Sequence, residues 1–293
     1  MKPIRTALFA PGSKERVMMK ALESGANAVI LDLEDSVPVA AKAEARGLVG
    51  KAIEGAAAAP SRPGIFVRIN SVATGMLEED LAAIVRPGLD AVLLAKAESV
   101  EEVQATAAGI ARQESARGMK AGCVEIILQI ESALGVYRCF ELIKASPRVA
   151  GTSLGSARDG DLQTDLGCSW SVEGIELLYA RSKVLLETRA AGAVPLDGPY
   201  AGINDEAGLI ADSRLSARLG YVGRALIHPK QIAPVRQAYA VPEAEAAYYR
   251  KVVTEFAAAE KTGTAAIQVE GKLIDYAMYQ RAQRVLELVK LDQ

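Results

Sequence analysis

The stretch Val124-Glu-Ile-Ile-Leu-Gln-Ile-Glu131, with the amphipathic run that follows it at residues 136–145, decides the fold. An apolar run of this kind is typical of a strand covered on both faces, and a strand followed directly by a helix is one unit of a parallel sheet. The other seven strand candidates are residues 6–10, 28–34, 65–70, 91–96, 149–155, 194–196 and 224–228, and further helix candidates lie at residues 14–24, 42–55, 77–85, 100–117, 172–191, 205–219 and 229–239. Eight such units in a row predict a (β/α)8 TIM barrel, and an open doubly wound sheet is the competing prediction.

The chain continues beyond the eighth unit. It has 293 residues, whereas a barrel typically needs about 250. Residues 242–263 are predicted to form a long helix, residues 265–274 a hairpin and residues 275–290 a final helix. We therefore expect a barrel at residues 1–240 and a helical and hairpin appendage at residues 241–293, which either caps the barrel or packs on a neighbouring subunit.

Composition and charge exclude several classes of partner. The formal net charge is −2 and no basic stripe is present, so we expect no binding to nucleic acid. No run of about 18 apolar residues predicts a membrane span, and without the apolar segment of a signal peptide we expect a cytoplasmic protein. His228 is the only histidine, so a multi-histidine metal site is not indicated, and we expect chemistry based on carboxylates and arginines.

Polar residues follow most of the strand candidates, at the ends where barrel enzymes place their chemistry. They include Asp32-Leu-Glu-Asp35 after the second strand, Arg68 near the end of the third, Lys96 after the fourth, Glu131 after the fifth and Ser156-Ala-Arg-Asp-Gly-Asp161 after the sixth. Any one of these charges can simply be solvated. Several of them at one end of one barrel indicate an active site.

Glu131 is the strongest metal-ligand candidate in the sequence. It follows a buried apolar run, and burial of an isolated carboxylate is costly unless a cation or a proton neutralises it. Adjacent parallel strands lie about 5 Å apart, so an aspartate in the loop after the sixth strand should face Glu131. Two carboxylates completed by water and substrate oxygens are a common magnesium site, and an ion pair between Glu131 and Arg68 without metal is the alternative.

Segments spread over nearly the whole chain resemble a known family. They are Leu8-Phe-Ala-Pro-Gly-Ser-Lys-Glu-Arg16, Ala28-Val-Ile-Leu-Asp-Leu-Glu-Asp-Ser-Val-Pro38, Val67-Arg-Ile-Asn70, Ile130-Glu-Ser-Ala-Leu-Gly135, Asp161-Leu-Gln-Thr-Asp-Leu-Gly167 and Leu219-Gly-Tyr-Val-Gly-Arg-Ala-Leu-Ile-His-Pro-Lys-Gln231. Together they resemble the citrate lyase beta-subunit-like branch of the HpcH/HpaI aldolase superfamily, which includes malyl-CoA and citramalyl-CoA lyases.

The resemblance implies that Glu131 and an aspartate after the sixth strand hold Mg2+, with Mn2+ as an alternative ion. The loop is longer here than the usual Gly-x-x-Asp-Leu of the family, so two aspartates qualify. The Asp-Leu pairing and the downstream spacing favour Asp161, whereas counting forward from Arg148 falls nearer Asp159. Lys96 follows an alanine where the family usually has a proline, and we expect its role to be retained.

Further roles are implied by the same resemblance. Arg68 is expected to bind the thioester or carboxylate oxygen of the substrate, and Glu34 and Asp35 to orient Arg68 or to hold metal-bound water. Arg16 and Lys96 are assigned to substrate binding, where basic residues near the first strands help to hold coenzyme A. The simpler alternatives are a solvated Arg16 and a Glu34 that serves only as an ion-pair partner of an arginine.

The family also implies the activity and the assembly. Asp275, in Gly271-Lys-Leu-Ile-Asp275, matches an aspartate that the appendage delivers to a neighbouring active site, although it would also suit a helix N-cap. The expected reaction is a retro-aldol or Claisen-type cleavage of a malyl-, citramalyl- or citryl-CoA by a homotrimer or homohexamer, with acyl-CoA and 2-keto acids as partners. The alternatives are a malyl-CoA thioesterase, a subunit of a lyase complex, or a 2-keto acid aldolase acting on a non-CoA substrate.

Overall fold

Eight parallel strands close into a barrel in the computed structural model, which describes residues 4–59, 61–171 and 173–291. The strands are β1 (Thr6–Pro11), β2 (Ala28–Asp32), β3 (Gly64–Ile69), β4 (Ala91–Leu94), β5 (Glu125–Ile130), β6 (Val149–Leu154), β7 (Val194–Asp197) and β8 (Gly223–Leu226). Each strand pairs with the next along the chain, and β1 pairs with β8. The predicted TIM barrel is confirmed, and the open doubly wound sheet is excluded.

Helices alternate with these strands. They are α1 (Glu15–Leu22), α2 (Lys42–Ala57), α3 (Leu77–Ile84), α4 (Val100–Ala116), α5 (Ala133–Lys144), α6 (Asp161–Leu166), α7 (Ile175–Ala190), α8 (Glu206–Leu219) and α9 (Ile232–Tyr239). Helix α6, with 6 residues in the loop after β6, was not predicted from the sequence. The next helix was predicted to begin at Val172, which lies outside the described residues, whereas α7 begins at Ile175.

The inside of the barrel is built from alternate residues of the strands. Small side chains, such as Ala28 and Ala91, pack there with larger ones from neighbouring strands, Ile30, Phe66 and Ile127. Successive strand residues point to opposite faces, so the residues two positions further along must also point inward. That rule directs the next inward side chains of β2, β3 and β5 into the mouth of the barrel, at the carboxyl ends of the strands.

Residues 239–293 form a second compact unit, divided from the first after Ala238. It contains α10 (Glu243–Glu260), the antiparallel strands β9 (Ile267–Val269) and β10 (Lys272–Ile274), and α11 (Tyr276–Val289). Its own core includes Phe256, whose ring stacks on that of Tyr279 with the centroids 4.8 Å apart. The predicted long helix, hairpin and final helix are therefore all present. Among the described residues, no helix is both long and apolar enough to span a membrane.

Candidate active site

Arg68 and Asp32 form a buried, bidentate ion pair at the mouth of the barrel. They are register partners on β3 and β2, and the Arg68 Nε and Nη2 atoms donate to the two Asp32 carboxylate oxygens at 2.7 and 2.8 Å. Asp32 is only 1% exposed and also accepts hydrogen bonds from the backbone N–H groups of Glu34 and Ser36. Burial alone would raise the pKa of Asp32, but the hydrogen bonds and charge of Arg68 outweigh it and lower that pKa. The pair therefore holds a charged guanidinium in one orientation.

Glu34 and Asp35 contact the same guanidinium from the loop after β2. The Arg68 Nη1 atom lies 2.9 Å from Glu34 Oε2 and 3.7 Å from Asp35 Oδ2. Glu34 is buried and its pKa is raised, mainly because of desolvation, whereas Asp35 is exposed. Both residues can thus orient Arg68, and Glu34 is the more constrained of the two.

Glu131 lies one residue past β5 and is only 5% exposed. One of its carboxylate oxygens accepts the backbone N–H of Lys96 at 2.9 Å, and the other accepts the side-chain amide of Gln129 at 3.2 Å. Desolvation raises the pKa of Glu131 to about 7, although the charge of Arg68 opposes the shift. The nearest ion-pair contacts of Arg68 are Asp32, Glu34 and Asp35, so the predicted alternative of a direct Glu131–Arg68 pair is not observed within the described residues.

Lys96 links the loops after β2 and β6. Its Nζ atom donates to Glu34 Oε1 at 2.9 Å and lies 3.3 Å from Asp161 Oδ2 and 3.5 Å from Asp35 Oδ1. Asp161 is the first residue of α6, so this missed helix is the element that directs its carboxylate toward the site. The structure thus brings together six predicted site residues: Glu34, Asp35, Arg68, Lys96, Glu131 and Asp161.

The other predicted residues lie elsewhere. The Asp159 side chain is 79% exposed and pairs with Arg158 at 3.5 Å, so it is not the aspartate that faces Glu131. Arg16 is exposed on α1. Asp275 belongs to the second unit, where its side chain accepts the backbone N–H of Met278 at 3.0 Å and caps α11. His228 caps a short turn by accepting the backbone N–H of Lys230.

Comparison with known proteins gives the family. The family model described as HpcH/HpaI aldolase/citrate lyase matches residues 5–229. The chain belongs to this family. It is 34% identical to the citrate lyase subunit beta of Leuconostoc mesenteroides subsp. cremoris over 97% of this chain and 92% of that protein. It is 31% identical to the L-malyl-CoA/beta-methylmalyl-CoA lyase of Cereibacter sphaeroides over 99% of this chain and 96% of that protein.

A solved structure covers the same length. Protein CitE from Mycobacterium tuberculosis, in complex with magnesium, acetoacetate and coenzyme A, is 28% identical, covers 98% of both chains and superposes with a TM-score of 0.75. The relatives are named as lyases, and the chain is a carbon–carbon lyase of the HpcH/HpaI family. The family expected from the sequence is therefore confirmed.

The donor set of this HpcH/HpaI site fits a hard divalent cation. Glu131 and Asp161 both line a cavity of about 350 Å³ with Arg68 and Gln129. Among the described residues the buried Oε1 atom of Gln129 has no hydrogen-bond partner, while the amide nitrogen of the same side chain donates to Glu131. In the part of the chain that the structure describes, no cluster of three or more His, Cys, Asp or Glu side chains is arranged as a metal site. Two carboxylates completed by other oxygens remain compatible with Mg2+, which seldom has an all-protein shell.

The charge balance supports the same conclusion. Five carboxylates converge here on two cationic side chains, so the site carries an excess of negative charge when all are ionised. The sequence assigned a role to four of these acids, Glu34, Asp35, Glu131 and Asp161, whereas Asp32 stood only among the polar residues after the second strand. Strand alternation places both Asp32 and Gln129 at the barrel mouth, because Asp32 is the inward residue after Ile30, just as Gln129 follows Ile127.

Proposed function

We propose that the chain is a Mg2+-dependent carbon–carbon lyase that cleaves or forms a 3-hydroxyacyl-CoA of the malyl-, citramalyl- or citryl-CoA type. The observation that carries this proposal is the position of a fixed guanidinium, Arg68, in one cavity with the buried Glu131 carboxylate. The names of the relatives and the magnesium and coenzyme A in the CitE complex support it. A cytoplasmic location belongs to the same proposal.

Glu131 and Asp161 would hold the cation, and Mn2+ could replace Mg2+. When bound, the cation supplies Lewis acidity and a template for the carboxylate and the hydroxyl or keto oxygen of the acid fragment. The Gln129 Oε1 atom, which has no partner among the described residues and lines the same cavity, would serve as a further oxygen donor or as an acceptor for a ligand hydroxyl. Because Asp159 is exposed and turned toward Arg158, Asp161 is the proposed ligand of the two.

Arg68 would stabilise the charge that develops during cleavage. The hydroxyl proton passes to a carboxylate of the site as the bond between the hydroxyl-bearing carbon and the carbon next to the thioester breaks. This releases the 2-keto acid, and the electron pair of the broken bond moves onto the thioester as an enolate, which then takes up a proton at its carbon. A guanidinium that is already oriented stabilises such an oxyanion without reorganising during the reaction. Asp32, Glu34 and Asp35 provide that orientation. Lys96 and the exposed Arg16 are proposed to contribute to substrate binding, Arg16 toward the phosphates of coenzyme A.

Asp275 of a neighbouring copy is proposed to exchange the proton at the methyl carbon of the released acyl-CoA. Its carboxylate is exposed and its one described role, as the cap of α11, leaves an oxygen available. A shared site of this kind requires a homotrimer or homohexamer. Mixing the Arg68→Ala and Asp275→Ala variants tests it, because a site built from two subunits regains activity in mixed oligomers. No recovery after subunit exchange would exclude the sharing.

The activity itself is tested with purified protein, Mg2+ and malyl-CoA, citramalyl-CoA or methylmalyl-CoA. Release of acetyl-CoA or propionyl-CoA together with a 2-keto acid is the expected result. Free coenzyme A with an intact hydroxy acid would identify a thioesterase instead, and no turnover of any thioester would overturn the proposal. Asp161→Asn should lose activity while Asp159→Asn, its neighbour on the same loop, retains it.

A further inference from the structure

Lys96 has an unusual backbone conformation at the edge of the site. It follows β4 and Ala95, and its φ of 52° lies in the left-handed region that non-glycine residues seldom occupy. This conformation aims the backbone N–H at the Glu131 carboxylate while the side chain reaches Glu34 on the other side. Such strain persists only where surrounding contacts hold it, and it is concentrated at functional sites.

The Lys96 ammonium is a cation shared by carboxylates from two loops. It contacts Glu34 and Asp35 from the loop after β2, and Asp161 from α6. Burial would lower its pKa, but Glu34, Asp35 and Asp161 outweigh burial and raise it, so the group is charged. Within the described ranges, Lys96 is the only ion-pair partner of Asp161.

Lys96 reaches Asp161 from a different side than a ligand would. Glu131 and Asp161 line the cavity that contains Arg68, and they also line a second cavity on the side of Lys96, Glu98 and Glu102. The two residues are thus shared by both cavities, whereas Arg68 lines only the first and Lys96 only the second. A cation that enters beside Arg68 and the ammonium on the other side meet at the same Asp161 carboxylate.

We propose that the Lys96 ammonium competes with the divalent cation for Asp161 and so weakens the intrinsic metal affinity of the site. This inference rests on the metal site of the proposed function and adds a role for Lys96 besides substrate binding. Two effects lower the metal affinity. Metal binding breaks the ion pair between Asp161 and Lys96, and it brings a divalent cation close to the positive charge of the Lys96 ammonium. Glu34 and Asp35 keep the ammonium in place when Asp161 turns to the metal. The remaining affinity then has to come from substrate oxygens, so metal and substrate bind together.

The test is Mn2+ binding, measured by electron paramagnetic resonance or calorimetry without substrate. Lys96→Met keeps the aliphatic stem and removes the charge, and it should tighten binding on the order of tenfold, from repulsion at about 5 Å even in a water-like dielectric. Lys96→Arg keeps the charge and should stay within about threefold of the wild type by the same reasoning. Lys51→Met, at an exposed position on α2, removes the same charge from the chain and should change nothing.

Three results would overturn the inference. They are unchanged affinity in Lys96→Met, weaker affinity in that variant, and equal tightening in Lys96→Arg. Lys96→Gly is a second neutral variant that tolerates the positive φ, and it should show the same gain if the methionine variant does not fold.

Glu131→Gln separates this inference from the proposed function. Loss of Mn2+ binding in Glu131→Gln, with unchanged binding in Lys96→Met, overturns the role of Lys96 alone. Wild-type affinity in Glu131→Gln overturns the metal site and the inference together.

Discussion

The close contact between β5 and β6 at the site gives a sharp test of the position of Glu131. Gly155 directly follows β6, and its backbone N–H donates to the carbonyl oxygen of Ile130 at 2.7 Å. A Cβ atom at residue 155 would lie 2.3 Å from Glu131 Cβ and 3.1 Å from its Cα. Nonbonded carbons normally approach to about 3.5–4.0 Å, so Gly155→Ala requires Glu131 to move by more than about 1 Å.

Two consequences follow for Gly155→Ala. Overpacking of this kind costs about 1–3 kcal/mol, and each kcal/mol lowers the melting temperature of a domain of this size by about 2–4 °C. A displacement of about 1 Å at a reacting group can lower the rate about 100-fold. We therefore expect a modest loss of stability, a large loss of lyase activity and weaker Mn2+ binding, measured by thermal unfolding, steady-state kinetics and calorimetry.

Gly47→Ala is the matched control. Gly47 lies inside α2, and a Cβ atom added there meets no other atom within 4 Å. Alanine should stabilise that helix by about 0.4–1 kcal/mol and leave activity unchanged. If Gly155→Ala kept wild-type metal affinity, activity and melting temperature, Glu131 would not stand against β6 and the geometry of the site would be wrong.

Three further predictions concern charges. Asp32→Asn should lower the free energy of unfolding, measured by urea denaturation, by about 3–5 kcal/mol and reduce kcat, because it leaves the buried Arg68 without its partner. A variant with wild-type stability would contradict the importance of this ion pair. Burial would raise the pKa of Glu114, but its hydrogen bonds and the charge of Arg148 outweigh burial and lower that pKa from 4.5 to about 2. The folded state therefore gains about 3 kcal/mol of stability above pH 4.5, and this gain should vanish as the pH falls toward 2. Glu114→Gln should remove that pH dependence. Because burial raises the pKa of Glu131 to about 7, Mn2+ affinity should fall as the pH drops below 7, with about half a proton released per metal ion at pH 7; affinity that stays flat from pH 8 to 5.5 would contradict a metal site built on a carboxylate with this raised pKa.

Much of this architecture is readable from the sequence, because strand periodicity fixes both the fold and the direction of side chains. The run before Glu131 predicted a buried strand, and β5 covers residues Glu125–Ile130. The same alternation would also have placed Asp32 and Gln129 in the barrel mouth had it been applied to every strand. The first helix was predicted to begin at residue 14. The chain makes a turn there, with the Lys14 N–H donating to the Pro11 carbonyl oxygen, and α1 begins at Glu15.

The loop after β6 was harder to predict, because its geometry depends on contacts far away in the sequence. Counting residues could not separate Asp159 from Asp161. What separates them is the short helix α6, which begins at Asp161 and is followed by Gly167 in a left-handed conformation. Asp159 itself has a φ of 59°, which turns its side chain to solvent. Neither property has a strong local signal, since a helix of 6 residues contains too few positions to show a period.

Two buried charge clusters elsewhere in the barrel show what a structural cluster looks like. Glu114 pairs with Arg148, one acid with one base, and the pKa of Glu114 is lowered. Burial would likewise raise the pKa of Asp197, which lies with Asp212 between Arg181 and Arg224, but the two guanidinium charges outweigh it and lower that pKa. In both clusters the cations match the carboxylates, so the acids stay ionised without further help.

The cluster at the barrel mouth has more carboxylates than cations, and this imbalance indicates a functional rather than a structural role. Burial acts on Glu34 and Glu131 as it acts on Glu114, but here desolvation prevails and both pKa values are raised. Arg68 and Lys96 are too few to neutralise the acids around them. This excess of negative charge can be neutralised by protons, which would remove the carboxylates as metal ligands, or by a divalent cation. Because burial raises the pKa of Glu131 to about 7, the proposed divalent cation can displace its proton at physiological pH and would neutralise this excess of negative charge.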